Sequence, residues 1–143
     1  MKIFARLASI WLAASLLLAA CANFGPPPEC SEGLGGVADT AAFDAQFVSI
    51  QLVSAASGAP GAPAEHGEAF AADEPLAIQV DSLGAGSLRA CVQAARDIPI
   101  DQTYKLSAGE QTLELGALGE PGTYVVRVIV DGVLVKNLPF TLE

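Results

Sequence analysis

The sequence predicts an all-β domain, and three observations carry that expectation. From Phe43 onward apolar residues recur with period two more often than 3.6: Val48, Ile50 and Leu52 alternate with Ser49, Gln51 and Val53, and Leu76, Ile78 and Val80 alternate with Ala77, Gln79 and Asp81. Near the end, Asp131-Gly132 sits between two apolar runs, the strongest short-range hairpin signal in the chain. Glycines, prolines and aspartates break the rest into short segments, as a protein of many short strands requires.

The segments follow in order. Residues 46–54 and 76–81 alternate clearly and read as half-buried strands. Between them, residues 55–74 are rich in Ala, Gly and Pro, carry Pro60 and Pro63, and show no hydrophobic pattern, so they read as a long exposed loop. Residues 88–96 fit two patterns. Leu88, Cys91, Val92 and Ala95 have helical spacing behind Ser87, whereas Leu88, Ala90, Val92 and Ala94 alternate as a strand does; the all-β context favours a strand over 88–94. Ile98, Ile100, Tyr104 and Leu106 share one phase and place a strand at 98–106. Leu113 and Leu115 follow the Ala108-Gly109 turn in a strand at 111–115, and strands at 123–130 and 133–142 flank Asp131-Gly132.

Seven short strands in about 100 residues is the count of an immunoglobulin-like β-sandwich. Leu118-Gly119-Glu120-Pro121-Gly122-Thr123-Tyr124, followed by Val126, Val128 and Val130, resembles the start of the penultimate strand in immunoglobulin-like and fibronectin type III-like domains. The resemblance implies a tyrosine corner, in which the Tyr124 hydroxyl bonds back to upstream backbone. Antibody domains also carry a core tryptophan; here Trp11 lies in the leader, so the core rests on aliphatics with Phe47, Tyr124 and Phe140. Val125 and Ile129 make the second face of that strand apolar, which predicts either a central strand or an exposed patch that a partner covers.

The chain has 143 residues, 52% of them hydrophobic, with net charge −9. Residues 1–20 hold 16 of the apolar residues and two charges, Lys2 and Arg6. Without them, five basic and 16 acidic residues remain, a net charge of −11, on a chain sized for one core. That balance excludes the basic footprint of nucleic-acid binding.

Lys2 and Arg6, then the apolar residues 7–20, read as a secretory signal segment. Fourteen residues at about 1.5 Å rise span roughly 21 Å, short of the ~30 Å hydrocarbon core. Leu18-Ala19-Ala20-Cys21 resembles the bacterial lipobox. The resemblance implies cleavage before Cys21 and acyl chains on that residue, and Ala22 in place of a retaining Asp favours the outer membrane, on its periplasmic or cell-surface face. The alternative is a plain signal peptide cut after Ala20. Residues 21–42, with three consecutive prolines from Pro26 and glycines Gly33, Gly35 and Gly36, read as a tether, leaving the sandwich to residues 43–143.

With Cys21 acylated, Cys30 and Cys91 are an even pair in an oxidising compartment. A disulfide between them would pin the tether to the sandwich; the alternative is two unpaired thiols, with Cys91 a small core residue. Catalytic signatures are lacking. There is no C-x-x-C and no GxSxG, Gly84-Ala85-Gly86 reads as a turn, and the only histidine, His66, sits among Glu65, Glu68, Asp73 and Glu74 as a solvated acidic loop. The sequence therefore points to a non-enzymatic, acyl-anchored module, without metal or cofactor, that binds a protein partner in the envelope. Alternatives are an assembly accessory of a secretion or surface apparatus, or a small periplasmic enzyme inhibitor.

Overall fold

Strands form where the side chains alternate. The computed structural model describes Cys30 and residues 36–143; the signal segment, Cys21 and the rest of the tether before Gly36 lie outside the described residues. A five-residue helix, α1 (Thr40–Asp44), comes first, and the Asp39 carboxylate caps it by accepting from the Ala42 N–H at 2.9 Å. Among the described residues nine strands follow: β1 (Phe47–Ser54), β2 (Ala62–Ala64), β3 (Gly67–Phe70), β4 (Leu76–Ser82), β5 (Gly86–Gln93), β6 (Ile100–Leu106), β7 (Gly109–Gly116), β8 (Gly122–Val130) and β9 (Val133–Leu142).

They build an all-β sandwich of two sheets, ordered β1-β4-β7 and β2-β3-β9-β8-β5-β6. Setting aside β2 and β3, seven strands remain in a three-on-four arrangement of immunoglobulin-like type. Residues 88–93 belong to a strand, which pairs with β6 and β8; Leu88, Ala90 and Val92 face the core between the sheets, Cys91 is buried on the opposite face, and Ala94 lies just past the strand's end. The Asp131-Gly132 turn has positive φ at both residues, 49° and 77°, as a two-residue hairpin of the primed type requires.

The interior lies between the sheets. Ile50, Leu52, Leu76, Ile78, Val80, Leu113 and Leu115 of the smaller sheet meet Leu88, Val92, Val126, Val128, Val135 and Leu142 of the larger. Phe140 sits at its aromatic centre, stacked on Tyr124 with centroids 5.4 Å apart and edge-on to Phe70 at 6.3 Å.

Residues 55–74 are not a plain exposed loop. Ala62–Ala64 and Gly67–Phe70 form a hairpin whose second strand runs parallel to the end of β9, pairing Glu68 with Phe140 and Phe70 with Leu142. Alternation is hidden there because β2 buries nothing and β3 buries only Phe70. Two glycines allow the close approach. A Cβ at Gly67, whose φ is 91°, would collide with the Pro139 carbonyl, and one at Gly61 with the Ala69 carbonyl and the Phe70 ring. Packing also begins before Phe43: the Asp39 N–H donates to the Leu134 carbonyl at 2.8 Å, and the Lys136 ammonium lies 5.1 Å from the Phe43 ring centroid.

Phe140 is fully buried, so Phe140→Ala is expected to cost about 3–5 kcal/mol. Val48→Ala, at a site 61% exposed, is expected to change stability by less than about 0.5 kcal/mol. Urea denaturation with matched slopes measures both; equal midpoints for the two variants would refute the assignment of the core.

Candidate functional site

Cys30 and Cys91 form a disulfide, with Cα atoms 6.0 Å apart, on the face of the six-stranded sheet turned away from the sandwich core. Together with Ile129, Ile98 and Leu134 they make a second, smaller apolar cluster. Gly36 lies against Arg127, so that a Cβ there would sit 3.3 Å from the guanidinium carbon, and the Asn137 side-chain amide donates to the Gly36 carbonyl at 3.0 Å. Val125 and Ile129 are 4% and 3% exposed. Of the two outcomes open for them, the central strand is correct and the exposed partner patch is not: β8 lies between β9 and β5, and its second face is covered.

Asp101 lies beside this staple. Its carboxylate receives two bonds from Arg89, at 2.8 and 2.7 Å, and the guanidinium holds its pKa below the usual carboxylate value against partial desolvation. The Cys91 sulfur is 3.8 Å from the same carboxylate. Cys30, Cys91 and Asp101 are also the only three metal-ligating groups in mutual reach among the described residues, and the disulfide occupies both sulfurs. His66 is exposed at the two-residue turn between β2 and β3 and joins no such group.

Tyr124 donates its hydroxyl proton to the Glu120 carbonyl at 3.0 Å, closing the corner that leads into β8. Burial first, then the charges of Glu120 and Asp97, raise its pKa above the ordinary phenol value.

The edges of the sheets differ in how they are protected. The outer edge of the large sheet is β2, three residues with Pro63 in the middle, and its opposite edge, β6, carries Asp101 and Lys105. β7 carries Glu110 and Glu114. β1 is eight residues long, FVSIQLVS, with neither charge nor proline, and pairs only with β4 among the described residues. A register shift between Phe47 and Ser49 twists its start; residues 49–54 then run in continuous register. The Ser54 N–H turns away from β4 to the Ala59 carbonyl, while the Ala55 N–H reaches the Pro75 carbonyl on the β4 side. By strand alternation, Ile50 and Leu52 therefore present their backbone groups to the open edge. Across a groove of about 310 Å³ stands β9, lining it with Lys136, Leu138 and Pro139.

A second cavity, about 390 Å³, lies where the inserted hairpin meets the end of β1. Ser54, Phe70, Pro60, Glu74 and Glu143 are among its walls. The Ser54 hydroxyl is buried with no hydrogen-bond partner, a condition that costs about 1–3 kcal/mol. Glu74 is positioned by accepting from the Ala71 N–H at 3.3 Å, and Glu68 accepts from Gly61 N–H at 3.3 Å. Sequence reasoning missed this cavity because it joins residues 54, 70 and 143 through a pairing that alternation does not signal. The absence of guard residues in β1, by contrast, stands in the sequence.

Comparison with known protein families, characterised proteins and solved structures finds no significant match to this chain.

Two predictions follow from this geometry. The staple spans 61 positions, so Cys30→Ser or Cys91→Ala is expected to lower unfolding free energy by about 4 kcal/mol, read from urea midpoints with and without reductant. Two reactive thiols in the denatured, unreduced protein would remove the staple altogether. Raised phenol pKa values at Tyr124 and Tyr104, both due chiefly to burial, mean that the unfolded chain loses these protons first. Their contribution is complete below about pH 10 and is lost as pH rises through the folded values. Melting temperature should fall across that range, less steeply in Tyr124→Phe, which also loses about 1 kcal/mol near neutral pH.

Proposed function

We propose that this chain is a non-enzymatic, acyl-anchored envelope module that binds a protein partner by strand addition along β1. The unguarded β1 edge carries the proposal. Natural sheets cover, charge or shorten their edges because a free ladder of N–H and C=O groups pairs with any extended chain. Three of the four edges here follow that practice. The fourth is long, uncharged and open, and it faces the equally open 136–138 stretch of β9. An extended segment laid in the groove would bond the backbone of Ile50 and Leu52 and set alternate side chains toward Leu138, Glu68 and Lys136, which line it.

Anchoring supports the same reading. The lipobox-like Leu18-Ala19-Ala20-Cys21 behind a signal segment holds the module at the outer membrane through acyl chains on Cys21, and the proline-led tether spaces it from the bilayer. The net charge of −11 after residue 20 favours a partner with basic features and a salt-sensitive encounter.

Photocrosslinking in intact envelopes tests both parts. A crosslinker at Gln51, exposed beside the groove, is expected to give a discrete protein adduct, and one at exposed Thr112 on β7 is not. Val48→Lys with Gln51→Lys should reduce capture at least five-fold without shifting the urea midpoint by more than ~0.5 kcal/mol equivalent. Recovery of lipid alone, or equal yields from both positions, would sink strand addition. Palmitate labelling should vanish in Cys21→Ala and the protein should leave the membrane fraction; persistence of label would reject the anchor.

A further inference from the structure

Cys91 on β5 and Asp101 on β6 are direct cross-strand partners, so both side chains leave the sheet on the same face. That face is the one Cys30 covers. The sulfurs of Cys30 and Cys91 and a carboxylate oxygen of Asp101 all lie within 4.8 Å of one another, and the Cys91 Sγ is 3.8 Å from the Asp101 Oδ1. Arg89, two residues before Cys91 on the same strand, fixes the carboxylate through two hydrogen bonds. A carboxylate has about four lone-pair sites, so Asp101 keeps capacity for a further partner while Arg89 holds it.

In the oxidised chain the two sulfurs are bonded to each other. A dithiol reductant passes two electrons and two protons to that bridge, becoming a disulfide itself, and leaves two thiols beside an ionised carboxylate. Two thiolates and a carboxylate this close repel one another, and a divalent cation among them removes the repulsion. Zinc suits the set. It takes thiolate at about 2.3 Å and carboxylate at about 2.0–2.2 Å in a tetrahedron, which places sulfur and oxygen ligands roughly 3.5–3.7 Å apart. The Cys91–Asp101 separation is already close to that edge. The two sulfurs must part to about 3.8 Å, which rotation about the Cα–Cβ bonds supplies with Cα atoms 6.0 Å apart. Calcium and magnesium take oxygen ligands throughout, and copper(I) has no use for the carboxylate. We infer that reduction of the Cys30–Cys91 disulfide creates a zinc site of two thiolates and the Asp101 carboxylate, two protons leaving to solvent as the ion binds, so that the metal replaces the bridge as the staple. Water reaches the fourth position past Asp101, whose side chain is 41% exposed.

Zinc titration of the full chain, purified in detergent and reduced with a phosphine, tests this. The reduced protein is expected to bind one Zn²⁺, and the oxidised protein to bind it about a hundred-fold more weakly or not at all. Cobalt in place of zinc should give thiolate-to-cobalt charge-transfer absorption and the visible bands of four-coordinate geometry. Asp101→Asn should weaken zinc binding about ten-fold and leave the urea midpoint of the oxidised protein in place; Cys91→Ser should abolish binding although Cys21 is retained. Because only the folded chain brings residues 30, 91 and 101 together, zinc should also raise the urea midpoint of the reduced protein and leave that of the oxidised protein unchanged. Equal affinity of Asp101→Asn and the unaltered chain, or zinc held as tightly by Cys91→Ser, overturns the inference. So does binding that leaves the reduced midpoint unmoved or a reduced chain that zinc does not refold, either of which assigns the ion to thiols of the unfolded protein.

Discussion

The constraint on which the rest of this structure depends is that β8 is buried on both faces. Every residue from Tyr124 to Val130 is buried, including Arg127. One face, with Tyr124, Val126, Val128 and Val130, is closed by the three-stranded sheet. The other, with Val125, Arg127 and Ile129, has no second sheet to meet, and a sheet of this width exposing it would present an apolar patch to water. The disulfide supplies the missing cover. By fixing Cys30 over Cys91, in register with Arg127 on β8, it ends the chain's freedom at the point where a cover is needed, and Gly36 and Asp39 continue that cover toward β9. Arg127 inside this layer is 6% exposed, and burial lowers its pKa from the ordinary guanidinium value.

What was legible in the sequence follows from the length scale of each signal. Period two is a signal between neighbours, so β1, β4, β8 and β9 can be read from five or six residues each, and the strand at 88–94 is resolved against a helix by context alone. The Asp131-Gly132 turn is equally local, because only residues tolerant of positive φ serve there. The inserted hairpin is different. Its stability comes from pairing with residues 140–142 and from one aromatic anchor, Phe70, and no window of the sequence contains both ends of that contact. Val125 and Ile129 show the same limit: their apolar character is evident, but whether water, a partner or the chain's own earlier segment meets them depends on residues some 90 positions away.

The same distinction separates the candidate sites. Edge protection is a property of single strands, and the lack of charge or proline in FVSIQLVS can be set against IDQTYKL and GEQTLELG without coordinates. That β1 is an edge, and that it faces β9 across a groove, is topology. The cavity at Ser54 is further removed, since it exists only because β3 leaves the loop and runs parallel to β9. A serine ending an apolar strand reads as a simple turn residue until its hydroxyl is found buried and without a partner.

Under the proposed acylation of Cys21, the disulfide also determines what the module can reach. Nine residues separate Cys21 from Cys30, and nine extended residues span at most about 32 Å. Without the staple the first attachment among the described residues would be the Gly36 carbonyl, fifteen residues along, for a reach of about 54 Å. The staple therefore shortens the leash and takes hold of the sheet on its covered face. The strand that is left open, β1, belongs to the other sheet, roughly 10 Å further from that point of attachment.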